Sequence, residues 1–385
     1  MRCVSTRYYW YQAVSTATLF QAVYFVYYGE RAGLSLAVIL ALQSFNTGLR
    51  ATLDLPFGAL ADRVSRRLCL VVSSSSILLG AAVLLVWPSL AGACVAETLF
   101  AVASALRSGA DSAWLHDSLR AAGHLEEYPH AESRGQAFAS LGSGAAAVLG
   151  GVLASIDLAL PYVATLLTAG AGAVLAWTLV EHRAAEHASL RHGRMREAAR
   201  LAWRTPAIRW TLGVAVLAVT SSHVYFYLQQ PYLRAAGVPL ALFGVVFAAT
   251  KLVTALVAGS AHRIDEALGP RATVATMAAV PVVGLGAMAA VSGPAGALLI
   301  LTRGVLDGLW MPLVNVYMNR LVDSRVRATM LSLQSVLARL VLSAVLAILG
   351  IATARLGLPA TLAAVAAAVA IAGVALLALA PPAPR

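Results

Sequence analysis

The chain has 385 residues, of which 60% are hydrophobic and 12% charged, and its net charge is +11. Ordinary soluble domains carry roughly 25% charged residues, so composition excludes a soluble globule. In a soluble protein that positive balance would point to nucleic acid. In a membrane protein, cationic loops that set orientation account for it, and nucleic acid is excluded as a partner.

About 20 apolar residues cross a bilayer. Runs of that kind predict twelve spans, at roughly 8–28, 34–60, 68–87, 90–116, 134–156, 160–180, 207–232, 239–261, 271–291, 295–319, 328–354 and 357–380. The first begins almost at the N-terminus with no Ala-x-Ala-like cleavage site, so a membrane helix is expected there and not a removable leader. Turn residues punctuate the runs: Trp87-Pro88, Leu160-Pro161, Val238-Pro239, Ser292-Gly293-Pro294 and Pro381-Pro382.

Between the second and third spans lies Gly58-Ala-Leu-Ala-Asp62-Arg63-Val-Ser65-Arg66-Arg67, an acid and three arginines expected to form one tight loop. This pattern resembles the loop between helices 2 and 3 of the major facilitator superfamily of secondary transporters. It departs at Ser65, where that family usually has glycine.

Basic residues set the orientation. The loops on the N-terminal side hold twenty arginines and the opposite loops three, Arg31, Arg234 and Arg355. Both termini are therefore expected in the cytoplasm. The halves echo each other: Val23-Tyr24-Phe25 returns as Val224-Tyr225-Phe226, and Gly58 returns as Gly259. Arg134-Gly-Gln-Ala and Arg327-Ala-Thr-Met open spans 5 and 11 alike. Two parallel six-helix repeats are what the resemblance implies. The expected fold is an all-α integral membrane protein of twelve transmembrane helices in two pseudo-symmetric six-helix bundles. Residues 1–180 and 207–385 form the bundles, and 181–206 is a cytoplasmic linker. That linker is rich in Arg, His and Glu and is expected along anionic headgroups as a partly helical segment. Its His182, His187 and His192 recur every five residues, which does not stack them on one helix face, and no metal is assigned. Cys3, Cys69 and Cys94 are isolated, without metal or redox spacing.

Charges inside spans are costly and mark a pathway, a proton relay or a structural pair. One group lies near the cytoplasmic face: Arg50 and Asp54 on span 2, Arg107 and Asp111 on span 4. Each pair is spaced i, i+4, so its members are expected to meet on one face. The resemblance implies a cytoplasmic gate of these four with Gly58, Asp62, Arg63, Arg66 and Arg67; a static cluster holding the bundle is the alternative. A second group lies nearer the midplane: Glu97, Lys251, Arg303, Asp307 and Arg339. Lys251 is the only lysine of the chain, against 27 arginines, which leaves a proton-exchanging amine or a salt-bridged one open. Asp307 leads as a proton-coupling carboxylate, with a permanent ion pair as its alternative, and Glu97 follows. Arg107-x-x-x-Asp111-x-x-Trp114 and Arg303-x-x-x-Asp307-x-x-Trp310 look like a repeat but lie at different depths, so they are read as coincidence.

Tyr24, His223 and Tyr227 are expected at a substrate cavity. Tyr8, Tyr9, Trp10, Tyr28 and Tyr232 fit interface anchoring or packing, and Asn46, Asn315 and Gln334 fit hydrogen bonds between helices. The small-residue run from Gly142 to Gly151 lets helix backbones approach closely.

No phosphate loop, His-Glu-x-x-His, Gly-x-Ser-x-Gly or Cys-x-x-Cys occurs, so an enzyme and a cofactor are not expected. The expected function is alternating-access transport of a small organic molecule across a bacterial inner membrane, by proton-coupled export. The expected partners are substrate, protons and membrane lipids, and the expected state is a monomer. The resemblance is nearest bacterial permeases and efflux-type members. Uptake of an organic anion or sugar, uncoupled facilitation, and a non-transporting receptor remain as alternatives.

Overall fold

The computed structural model describes residues 2–181 and 191–381; within them the side chains at 2–4, 55, 59, 62, 63, 191–196, 324, 325 and 328 are not described. His182 and His187, and the side chains of His192, Asp62 and Arg63, thus lie outside the described residues. Helices are the only regular elements among the described residues. Ten of their stretches are long and apolar enough to cross a membrane. Many large apolar side chains face outward, among them Val86, Leu141, Ile156, Leu167 and Ile371. An exposed apolar coat of that extent is a liability in water and the requirement in lipid.

Contacts divide the chain into two compact units, Met1–Ala188 with Pro239–Ala248, and Ser189–Val238 with Ala249–Arg385. In the first unit the leading span is not one helix. It comprises α1 (Arg2–Ser15), a 3-10 turn (Leu19–Ala22) and α2 (Tyr24–Glu30). Breaking a helix in hydrocarbon requires new partners for the freed backbone groups, and threonines supply them. Thr165 Oγ accepts from the Leu19 amide at 3.0 Å, and Thr168 Oγ donates to the Ala17 carbonyl at 2.7 Å.

The helix α3 (Leu36–Arg63) is capped by Ser35 and continues through Gly58 and Asp62. The tight loop expected over 58–67 is therefore corrected to a two-residue break at Val64 and Ser65 before α4 (Arg66–Val86). Ala-Leu-Ala after Gly58 is strongly helix-forming and carries the helix past the glycine. The fourth predicted span is also two helices, α5 (Leu90–Arg107) and α6 (Ala110–Ala121), broken where Gly109 adopts φ 80°. That left-handed conformation suits glycine alone. Arg107 and Asp111 consequently sit on different helices, and the expected i, i+4 meeting does not occur.

The unit is completed by α7 (Tyr128–Ile156), α8 (Leu160–Trp177) and the first turns of α11 (Leu240–Leu268). Here the small-residue run has a visible use. A Cβ added at Gly142 would lie 2.1 Å from the Ala13 carbonyl oxygen, and one at Gly150 would lie 1.9 Å from that of Leu19. A Cβ at Gly244 of α11 would come within 1.9 Å of the Ala147 oxygen. Backbone packs on backbone at these points.

The second unit holds α9 (Arg191–Arg204), α10 (Pro206–Ala235), the rest of α11, α12 (Pro270–Ala290), a 3-10 turn (Pro294–Ile300), α13 (Leu301–Leu321) and α14 (Ser324–Ala378). The last is interrupted by Gly357 at φ 77°, close to the break expected between the last two spans. Its core gathers Val214, Ala218, Met277, Leu306, Leu309 and Leu313. The echo of Val23-Tyr24-Phe25 in Val224-Tyr225-Phe226 is not a structural one. The first copy begins a helix after the 3-10 turn, whereas the second lies inside continuous α10.

Gly150→Ala should therefore lower stability by about 1–3 kcal/mol through overpacking, seen as a fall in the thermal midpoint of the purified protein. Gly286→Ala, where nothing lies within 4 Å of the added methyl, should leave the midpoint unchanged or raise it.

Candidate functional site

The first unit buries a carboxylate at Glu97, two turns into α5 and 3% exposed. Tyr28 of α2 donates its hydroxyl to Glu97 Oε1 at 2.7 Å, and Gln43 Nε2 of α3 donates to the same oxygen at 2.7 Å. Asn46 Nδ2, nearly one turn further along α3, donates to Glu97 Oε2 at 2.9 Å. Among the described residues the carboxylate is thus held by neutral groups, with Arg50 acting on it electrostatically from further along α3. Tyr24 packs its buried ring edge-on to Tyr28, centroids 6.1 Å apart. Tyr28 is therefore not an interface anchor but the buried partner of Glu97. Asn46, expected to bridge helices, does so.

Towards the other end of the unit a second polar network joins α1, α6 and α7. Gln12 Nε2 donates to Asp111 Oδ2 at 3.1 Å and to the Tyr8 hydroxyl at 2.7 Å. Tyr8 in turn donates to Glu132 Oε2 at 3.0 Å, and Ser112 Oγ donates to Glu132 Oε1 at 2.8 Å. Tyr8 is fully buried and stacks on Trp114; packing, not anchoring, is its role. Arg107 turns instead to the Ser15 carbonyl at 3.4 Å. Arg50 and Asp54 lie half-buried on the same stretch of α3.

The arginine motif is tied down in this unit. Ser65 caps α4, its Oγ accepting from the Leu68 amide at 2.9 Å. The hydroxyl also donates to Glu181 Oε2 at 2.5 Å, and the Arg66 and Arg67 amides donate to the Glu181 carboxylate at 3.2 and 3.1 Å. An anion at a helix N-terminus satisfies orphan amides and opposes the helix dipole favourably. Arg66 pairs with Asp117 of α6 and donates to the Ala113 carbonyl at 2.6 Å. Arg67 lies over the Trp177 ring, 5.0 Å from its centroid. The serine found where the family usually has glycine is thus a built cap.

In the second unit Asp307 of α13 is 6% exposed. It accepts from Ser222 Oγ of α10 at 2.5 Å and from Trp310 Nε1 at 3.0 Å, and its Oδ2 lies 3.4 Å from Arg303 Nε as an ion pair. Arg303 lies over the Phe226 ring, 5.1 Å from its centroid, and Lys251 of α11 is within electrostatic reach of both Arg303 and Asp307. His223 places Nδ1 at 2.8 Å from the Val219 carbonyl, so Nδ1 carries the hydrogen, and its ring lies 6.5 Å from that of buried Tyr227. Arg339 is half-buried on α14. The two look-alike patterns differ in what their residues meet. Arg303, Asp307 and Trp310 meet on one continuous helix, whereas Trp114 Nε1 donates to the Val180 carbonyl at 2.8 Å and leaves Asp111 to Gln12.

The structure thus groups Glu97 with Tyr28, Gln43 and Asn46, and Asp307 with Arg303 and Ser222. Gln12, Glu132, Asp117, Glu181 and Ser222 were not singled out from sequence, and Trp310 was noted only in a pattern read as coincidence. Among the described residues no group of His, Cys, Asp and Glu could hold a metal ion.

Buried, hydrogen-bonded charges and an arginine motif between α3 and α4 thus lie within a membrane helix bundle. The family model of the Major Facilitator Superfamily matches residues 12–344, and the chain belongs to that superfamily. Among solved structures, a variant of the nucleoside transporter NupG superposes with a TM-score of 0.83 at 10% identity, covering 98% of this chain and 99% of that one. A POT family transporter solved with 5-aminolevulinic acid gives 0.75 at 11% identity, covering 99% and 96%. The peptide transporter POT solved with sulfate gives 0.73 at 16% identity, covering 98% and 94%. At such identities the likeness is one of fold. No match is found among curated protein sequences.

Ser65→Ala removes the cap of α4 and should cost about 1 kcal/mol, whereas Ser65→Gly, restoring the family's usual residue, should cost only a few tenths at the cap. Thermal unfolding of the two variants in one detergent checks the order.

Proposed function

We propose that this protein is a proton-coupled exporter of a small organic molecule, working by alternating access of two six-helix bundles. Twelve crossings account for the chain if α1 with α2 forms the first and α14 forms two, divided at Gly357. We place it as a monomer in a bacterial inner membrane; the arginine asymmetry of its loops supports cytoplasmic termini.

The observation that carries proton coupling is the cage around Glu97. Hydroxyl and amide groups can donate or accept. Tyr28, Gln43 and Asn46 can therefore turn to receive a hydrogen bond from a protonated Glu97 as readily as they donate to an ionised one. The surroundings of Asp307 lack that freedom, because Trp310 and Arg303 carry only donors toward it. Glu97 is the proton carrier in this reading, ahead of Asp307, and Asp307 is the fixed counter-ion of Arg303. The gate assigned to Asp62, Arg63, Arg66, Arg67, Arg50, Asp54, Arg107 and Asp111 belongs to the same reading. It is supported by the firm seating of Arg66 and Arg67 on α6, α8 and Glu181.

Of the charges expected nearer the midplane, the second unit holds three cations, Lys251, Arg303 and Arg339, and one acid, Asp307. That balance favours a substrate with an anionic group, either an organic anion or a zwitterion. A transporter of the same fold has been solved with 5-aminolevulinic acid, a zwitterion. Export goes with the resemblance to efflux-type members.

Everted vesicles preloaded with a proton gradient test this. Addition of substrate should release the gradient with the parent protein and not with Glu97→Gln, while Glu97→Gln keeps substrate exchange at equal pH. Asp307→Asn removes the carboxylate paired with buried Arg303, and breaking a buried ion pair typically costs about 3–5 kcal/mol, so it should depress exchange as well. Proton release that persists in Glu97→Gln overturns the assignment. Substrate accumulation in right-side-out vesicles instead would replace export by uptake.

A further inference from the structure

The helix α9 joins the second unit through a narrow face of small residues. Ala198 and Ala202 are buried, packing with Ile208 and Leu212 of α10, Met318 of α13, Val322 just beyond it, and Met330 of α14. Alanines allow close approach, so α9 is held against the converging ends of three helices and not merely strung between segments. Its opposite face carries Arg200, Trp203 and Arg204, all exposed and spaced i, i+3 and i+4, which makes them surface neighbours. Trp203 is 76% exposed, among the most exposed large side chains described. Arg209 of α10, also exposed, adds a third guanidinium, 5.9 Å from the Trp203 ring centroid and with Nη1 donating to the Trp203 carbonyl at 2.8 Å. Glu197 is the acid on the exposed side of this turn.

An exposed indole among three guanidiniums is costly to leave in water and well matched to one environment. Tryptophan partitions to the headgroup level of a bilayer, and arginine near the surface gains from anionic lipid. We propose that the Arg200–Trp203–Arg204–Arg209 face of α9 binds anionic phospholipid headgroups and anchors the cytoplasmic ends of α10, α13 and α14 to the bilayer surface. Trp203 sits at the level of the glycerol backbone, and the guanidiniums take the phosphates as charge-assisted hydrogen-bond acceptors. Each arginine should contribute about fivefold in lipid affinity. The buried alanine face transmits the attachment to the helices above it. This anchor is independent of what the protein carries and of whether protons drive it.

Fluorescence quenching in nanodiscs tests it, with bromine placed high on the acyl chains of either phosphatidylglycerol or phosphatidylcholine at a fixed total of brominated lipid. The parent protein should be quenched more by brominated phosphatidylglycerol, and Trp203→Phe should lose that excess although six other tryptophans remain. The double variant Arg200→Gln with Arg204→Gln should lose most of it, with an unchanged thermal midpoint in detergent. Equal quenching of the parent protein by the two lipids overturns the proposal, as does an excess that survives Trp203→Phe. So does an excess undiminished in the double arginine variant.

Discussion

Charge buried in hydrocarbon must be partnered at once, because no water stands nearby to do it. That constraint explains more of this structure than any apolar contact does. Glu97 draws α2, α3 and α5 together, since its three donors come from two of those helices and it sits on the third. Asp307 fastens α10 to α13 through Ser222. Glu132 and Asp111 bind α1, α6 and α7 through Tyr8, Gln12 and Ser112. The apolar remainder is largely free to face lipid, with small residues admitting close packing where backbones cross.

Glu97 and Asp307, both buried carboxylates, express one constraint in two chemical forms. A cation as partner fixes a charge state, and a set of hydroxyls and amides leaves it open. Asp307 has the first arrangement and Glu97 the second. The difference is invisible to hydropathy, which scores both as one acid in an apolar run.

Sequence reading located the apolar runs, the arginine motif and the buried acids Glu97 and Asp307, because all three are local departures from composition. It missed what depends on long-range contact. Glu132 fell outside the predicted fifth span, which was started at 134, so it was not counted among the membrane charges; α7 begins at Tyr128. The pairing of Arg107 with Asp111 assumed an unbroken helix, and a single positive φ at Gly109 defeats it. Ser65 read only as a departure from the family pattern, because its partner, Glu181, lies 116 residues away. Tyr8 and Tyr28 read as interface anchors or packing residues, and the structure makes both buried donors to carboxylates.

The break at Gly109 also sets a length. The helix α5 has 18 residues, about 27 Å at 1.5 Å per residue, whereas a typical hydrocarbon core is about 30 Å thick. Its lower end is marked by Arg107, and the next helix carries Asp111, His116, Asp117 and Arg120. A bilayer thickened by longer acyl chains would place this polar end under hydrophobic mismatch. Acyl-chain length is therefore the property of the bilayer that bears on the break at Gly109.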